Sequence, residues 1–366
     1  MELKSIKIGK HTIKYPIIQG GMGVGISWSG LAGNVSKHGG LGVVSSVGTG
    51  YYNNKAHVTD ALSFGRPKEA GGFYSTDGLN AIIEDSRAIC GDAPLAVNVL
   101  YASNDYGRIV TDACKAGANI IITGAGLPTN MPEFSEGFPD VALVPIISSA
   151  KALKILCKRW QKRYNRLPDA FILEGPLSGG HQGFSYEQCS MDEFQLENLT
   201  LPVIEEAKNW GSMPIIVAGG VWDHDDIAKF IDMGADGVQM ATRFIGTAEC
   251  DASQNFKDLL IKTEEKDIEL FKSPVGLPAR GIRTNLMNLV DKREGPVVKC
   301  ISNCVAPCDR GVEAKAVGYC IADRLSDAYE GDLETGLFFT GTNGYRIKKL
   351  LTVEELMNKL VNGEDA

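Results

Sequence analysis

The chain alternates between two hydrophobic rhythms. Short, nearly continuous apolar runs at 15–19, 41–45, 94–98, 119–123, 141–146, 169–173, 214–218 and 235–240 predict eight buried strands, being too short for buried helices and bounded by turn-forming residues. Between them, 28–37, 78–89, 105–116, 149–163, 201–209 and a stretch beginning at Asp223 carry helical spacing. In 149–163, for example, Leu153, Ile155, Leu156 and Trp160 oppose Lys151, Lys154, Lys158 and Arg159, which is the pattern of a half-buried helix. Residues 1–14 predict a small hairpin, and the polar, glycine-rich 46–77 a long excursion. Eight strand–helix units imply an α/β fold, a TIM (β/α)8 barrel with its working loops at the C-terminal ends of the strands. A doubly wound open sheet shares the local pattern but more often stops at five to seven strands.

After the eighth strand the rhythm breaks. Residues 250–312 hold two proline pairs, Pro274 with Pro278 and Pro296 with Pro307, and predict a long loop-like excursion over the barrel mouth or its flank. Helices follow at about 313–329 and 352–361, and 338–344 is expected to return to the rim. The organisation expected is a barrel over 1–249, with 250–366 completing the same domain or a small second one.

Charge and cysteine usage narrow the function. Lys plus Arg number 37 against 45 Asp plus Glu, a net charge of -8, so no basic footprint for nucleic acid is present. No apolar run has the length of a membrane span and the N-terminal residues lack a signal-peptide core, so a cytoplasmic protein with a small-molecule substrate is expected. Of nine cysteines, Cys300, Cys304, Cys308 and Cys320 invite a zinc or iron–sulfur reading. There is no C-x-x-C among them and Pro307 interrupts the spacing, so this segment is expected to be metal-free and structural.

Candidate chemistry gathers at strand ends. The sixth strand leads into Glu174-Gly175-Pro176-Leu177-Ser178-Gly179-Gly180-His181-Gln182-Gly183, a loop whose glycines let the backbone approach a ligand and whose one histidine titrates near neutrality. Gly20-Gly21, Gly124-Ala125-Gly126 and Gly219-Gly220 follow other strands. Gly219-Gly220 and Ala241-Thr242 stand after strands seven and eight, where such barrels commonly hold a phosphate. Gln19, Asn98, Thr123, Glu174 and Gln239 put amide, hydroxyl and carboxyl groups at strand ends, able to bond the edge of a heterocycle or to cap the rim.

Four separated motifs resemble one family. Pro16-Ile17-Ile18-Gln19-Gly20-Gly21-Met22, Glu174 through Gly183, Ala218-Gly219-Gly220 and Gly237-Val238-Gln239-Met240-Ala241-Thr242-Arg243-Phe244 are similar to the 2-nitropropane dioxygenase family, which contains nitronate monooxygenases and the flavin-dependent enoyl-acyl-carrier-protein reductase II. The resemblance implies a barrel binding flavin mononucleotide (FMN). It makes Gln19, Gly20, Gly21 and Met22 flavin-ring contacts and gives Asn98 a flavin hydrogen bond. It puts Glu174, Gly179, Gly180, Gly220 and Gln239 through Thr242 around the cofactor, with the glycines and the last group at its phosphate, and makes His181 catalytic. Three positions depart from the family pattern: Glu174 where Gln is frequent, Ser178 where Ala is usual, and Ala241 where Gly commonly precedes the Thr.

The expected function is an FMN-dependent oxidoreductase that oxidises alkyl nitronates with O2, His181 being a base or an anion holder. The alternatives are an NAD(P)H-dependent enoyl-acyl-carrier-protein reductase or general NAD(P)H:acceptor flavin reductase, with the nucleotide as co-substrate, and a non-catalytic flavin-binding protein. A homodimer is left open.

Overall fold

The computed structural model describes residues 2–52, 73–298, 300, 304–308 and 311–363. Most of the 46–77 excursion, residues 53–72, lies outside the described residues. Strands β1 (Ile6–Ile8) and β2 (His11–Ile13) form the N-terminal hairpin. Eight parallel strands then make the barrel: β3 (Ile17–Gln19), β4 (Gly42–Ser45), β5 (Leu95–Leu100), β6 (Ile120–Gly124), β7 (Ala142–Ile147), β8 (Phe171–Glu174), and, after the two-residue β9 (Gly180–His181), β10 (Ile215–Ala218) and β11 (Gly237–Met240). Their neighbour order runs β3-β11-β10-β8-β7-β6-β5-β4. A bridge between Ile18 and Leu41 brings the last strand to the first, with Gln19 N–H donating to the Leu41 carbonyl at 3.0 Å and Leu41 N–H to that of Ile17 at 2.9 Å.

These strands read as unbroken apolar runs because both their faces are buried. Alternate residues, among them Ile18, Val43, Ile120, Ile122, Val144, Ile172 and Ile216, fill the barrel interior together with Ile6, Ile8 and Ile13 of the hairpin. The intervening positions, such as Ile17, Leu173, Val217 and Val238, pack outward against the helices. Two helices illustrate how the ring is fixed. Helix α1 (Ser29–Lys37) has no capping side chain of its own. The Asp251 carboxylate caps it from beyond the barrel, accepting from Trp28 at 2.9 Å and from Gly30 and Leu31 at 3.1 Å, where a negative charge also meets the helix dipole. After β11 the chain forms only the four-residue helix Thr242–Ile245. The C-terminal helix Val353–Asn362, started by a Thr352–Glu355 capping box, packs between α1 and the helix His224–Asp232.

The loop-like reading of 250–312 is corrected by the structure. This stretch contains a helix (Gln254–Lys262), an antiparallel hairpin of β12 (Ile268–Lys272) and β13 (Pro278–Ile282), and a helix (Asn285–Asp291). Pro274 lies in the hairpin turn and Pro278 opens β13, places where proline costs no ladder bond. β13 recruits β9, pairing Ala279 with His181 and Arg280 with Gly180. The helix expected over 313–329 is two, Val312–Val317 and Ile321–Glu330, because Gly318 turns left-handed at φ 103°.

Candidate active site

A cavity of about 470 Å³ opens at the C-terminal ends of the barrel strands. Gly21 and Met22, Asn98, Glu174, Gly179, Gly180, His181, Ala241 and Thr242 all line it, so the structure brings together these expected residues from four of the eight strand ends. Gln19, Gly20, Thr123, Gly219, Gly220, Gln239 and Met240 stand behind this wall. Gln19 is fully buried, its Oε1 accepting from Val43 N–H at 2.9 Å and its Nε2 donating to the Gly20 carbonyl. Thr123 is also fully buried, 3.5 Å from the Tyr106 hydroxyl. Gln239 lies against Gly20, Met240 belongs to the core outside the strands, and Gly220 gives its carbonyl to Asn343 Nδ2 at 2.8 Å. Gly219 approaches the Gly175 backbone so closely that a Cβ would sit 2.7 Å from its carbonyl oxygen.

His181 is held from three sides. Its backbone is in the β9–β13 ladder, its ring meets the edge of Phe339 at 5.5 Å between centroids, and its Nε2 lies 2.8 Å from Ser273 Oγ. Burial pushes the imidazole down to about 4, which favours the neutral ring at physiological pH. Glu174 moves the other way. Desolvation in the cavity raises its carboxyl to about 7, a hydrogen bond from Ser178 only partly opposing this. The Ser178 hydroxyl also lies 3.4 Å from Gln182 Oε1. Two of the three family departures thus touch each other. The third is accommodated by its neighbour: a Cβ on Gly20 would stand 3.1 Å from the Ala241 methyl, so glycine at 20 makes the room.

Residues beyond 250 finish the site. Arg280, 6% exposed, donates through one Nη to the carbonyls of Pro176 and, at 2.8 Å, Ser178, tying the histidine loop to β13. It forms no ion pair among the described residues. Phe339 and Thr340 line the cavity, as the 338–344 reading expected. Gly341 N–H donates to Thr242 Oγ1 at 2.8 Å. Sequence reasoning missed Arg280 and Ser273. A charge inside the apolar run Pro278–Ile282 was a signal for the first; nothing marked the second.

The nitronate monooxygenase family profile matches residues 4–363. The chain belongs to the nitronate monooxygenase family. A probable nitronate monooxygenase of Staphylococcus aureus is 26% identical over 300 residues, covering 78% of this chain and 80% of the relative. Among solved structures, FabK from Thermotoga maritima superposes with a TM-score of 0.72 at 24% identity, covering 96% of this chain and 92% of its own. Nitroalkane oxidase from Streptomyces ansochromogenes gives 0.68 at 19%, covering 95% of each. At these identities the two structures speak for the fold, a TIM barrel.

Nitronate monooxygenase family members are flavin-dependent oxidoreductases, and the chain is an oxidoreductase of that class. Its residues fit a flavin phosphate. A Cβ on Gly341 would fall 2.9 Å from Thr242 Oγ1, 3.0 Å from the Leu177 carbonyl and 3.3 Å from the Gly179 nitrogen, so three loops form a cradle that any side chain would fill. The N–H groups of Gly179 and Thr242 take no hydrogen-bond acceptor among the described residues, as an anion site requires. Asn98 and Glu174 also offer polar groups at the wall. Gly21 has to be glycine, since a Cβ there would sit 2.4 Å from that of Asn98. No described helix is long and apolar enough to cross a membrane.

Proposed function

We propose that the chain is an FMN-dependent nitronate monooxygenase in which His181 is the base. The observation carrying this is a histidine held by three contacts at the wall of a cavity in the barrel mouth, where burial favours its neutral form. When bound, FMN supplies the electron transfer and oxygen chemistry that no side chain here can perform. Gly179, Gly180, Thr242 and Gly341 would hold its phosphate; Gly21, Met22, Asn98 and Glu174 would meet its ring. Gln19, Gly20, Thr123, Gly219, Gly220, Gln239, Met240 and Ala241 shape that wall. His181 takes the α-proton of a neutral nitroalkane: the C–H bond breaks, an N–H bond forms, and the electron pair spreads onto the nitro oxygens to give the nitronate. Being neutral above about pH 4, the ring acts as base rather than as a standing imidazolium. A preformed nitronate skips this step. Because the cavity takes its wall from both sides of residue 250, the two stretches work as one unit.

A second reading, NAD(P)H-dependent enoyl thioester reduction, draws support from the apolar outer wall of Leu277, Leu325, Leu337 and Phe339, along which an acyl chain would lie. Absorbance spectra of the purified protein separate the readings. Nitronate-dependent oxygen uptake by yellow protein is the expected result. Bleaching by NAD(P)H with turnover of an enoyl thioester supports the second reading, and protein without bound flavin overturns both.

A further inference from the structure

We propose that Arg280 is a positioning residue for the flavin phosphate, acting through the Ser178–Gly179 peptide to aim the Gly179 N–H into the cradle and to put a positive charge behind it. This rests on the reading of the cradle of Gly179, Thr242 and Gly341 as the phosphate site. Arg280 lies on β13 opposite Gly180 and is 6% exposed. Burial opposes its charge, and no carboxylate pairs with it among the described residues. A buried guanidinium without a counter-ion is costly; a phosphate dianion one peptide unit away would offset that cost. Its Nη1 donates to the Pro176 carbonyl and, at 2.8 Å, to that of Ser178. Gln182, 1% exposed, donates from Nε2 to the same Ser178 carbonyl at 2.9 Å and to that of Gly180 at 3.0 Å. Two carbonyl acceptors fix the amide with its nitrogen toward them.

The Ser178 oxygen is therefore held by two donors, one of them charged. A trans peptide, as this one is, points its C=O and N–H in opposite directions, so fixing the oxygen fixes where the Gly179 N–H is aimed. That nitrogen stands 3.3 Å from the position a Gly341 Cβ would take, and Thr242 Oγ1 lies 2.9 Å from the same point. Gly179 lines the cavity, and its N–H has no acceptor among the described residues. A charged donor on the carbonyl polarises the peptide and strengthens its N–H as a donor. The guanidinium thus favours an anion that it does not touch. The terminal hydroxyl of riboflavin, being neutral, gains little from the same arrangement.

The test displaces FMN from the holoprotein with riboflavin, which lacks the phosphate, and reads the ratio of the two affinities by equilibrium dialysis. Wild type is expected to favour FMN. Arg280→Gln, which keeps a donor but loses the charge, should lower that preference about tenfold with riboflavin affinity unchanged, and Arg280→Lys should restore most of it. Equal losses of FMN and riboflavin in Arg280→Gln would make the arginine a structural tie alone and overturn the proposal, as would Arg280→Lys behaving no better than Arg280→Gln. Gln182→Leu, with the arginine in place, should lower the ratio about threefold; where the arginine variants do not fold, an unchanged ratio in Gln182→Leu overturns the proposal. Wild type binding riboflavin as tightly as FMN would mean that the phosphate reading itself has failed. A wild-type preference that every variant retains would leave that reading standing and remove Arg280 from it.

Discussion

The barrel and the residues that follow it are stabilised in different ways. The barrel interior is aliphatic side chains in layers, with charged groups kept outside. The segment after 250 has a small core of seven buried residues, Phe271, Ala279, Leu286, Met287, Tyr319, Ile321 and Leu337, and relies on buried polar groups. Arg324 pairs with Asp323 and Asp327, all at most 8% exposed in their side chains, and Arg280 spends its donors on loop carbonyls. Apolar layers give bulk stability with little angular demand, whereas buried hydrogen bonds fail unless groups are placed to fractions of an ångström. The barrel brings His181 to the mouth, and the later segment sets its direction.

That contrast can be broken at the ion cluster first. Arg324→Met would leave two carboxylates buried without their cation, and unfolding free energy should fall by about 3–5 kcal/mol in a denaturant titration; a loss under 1 kcal/mol would mean the cluster is solvated and the contrast overstated. Thr242→Asp sets a carboxylate against the phosphate cradle, and flavin affinity should drop about a hundredfold, roughly 3 kcal/mol, read by equilibrium dialysis. Undiminished affinity would remove the phosphate from that end. Arg280→Met leaves the Pro176 carbonyl without its donor and that of Ser178 with Gln182 Nε2 alone, and should cost about 2 kcal/mol together with turnover. Ile120→Val, inside the barrel, should cost about 1 kcal/mol with turnover intact, and equal catalytic losses in the two variants would erase the distinction.

The smallest effect concerns Glu174. Its folded pKa of about 7 lies above the ordinary carboxyl value of 4.5, so the folded protein binds the extra proton in between. The stability it contributes is complete below about pH 4.5 and is lost as pH rises through 7. Allowing for relaxation around the carboxylate, Glu174→Gln should stabilise by on the order of 1 kcal/mol at pH 8 and not at pH 4. A pH-independent difference between the two melting curves would contradict this.

The barrel was legible because its signal is periodic. Each strand is an apolar run between two buried layers, and β8, for instance, was displaced from its expected 169–173 by only one or two residues at its ends. The glycine loop with His181 was legible because positive φ and close approach leave glycine as their trace, as at Gly180 with φ 72°. The hairpin β12–β13 was not. Prolines at its turn and first position read as breakers, and its strands are paired by contacts nearly a hundred residues away in sequence, as Ala279 is with His181. Ser273 meets the His181 ring through a single distance, which no periodicity encodes. The helix break at Gly318 was written in the glycine, but Val312–Glu330 carries helical spacing on both sides and hides it.

The most direct test of the account compares one nitroalkane in its neutral and its ionised form on wild type and His181→Asn, by oxygen uptake with flavin content measured in parallel. A base that moves the α-proton contributes about two to four orders of magnitude and has no such part in oxidising the preformed anion. The expected result is therefore a loss of that size on the neutral form, a much smaller one on the nitronate, and unchanged flavin. Equal losses on both forms would make His181 an anion holder, and no loss on either would contradict the account.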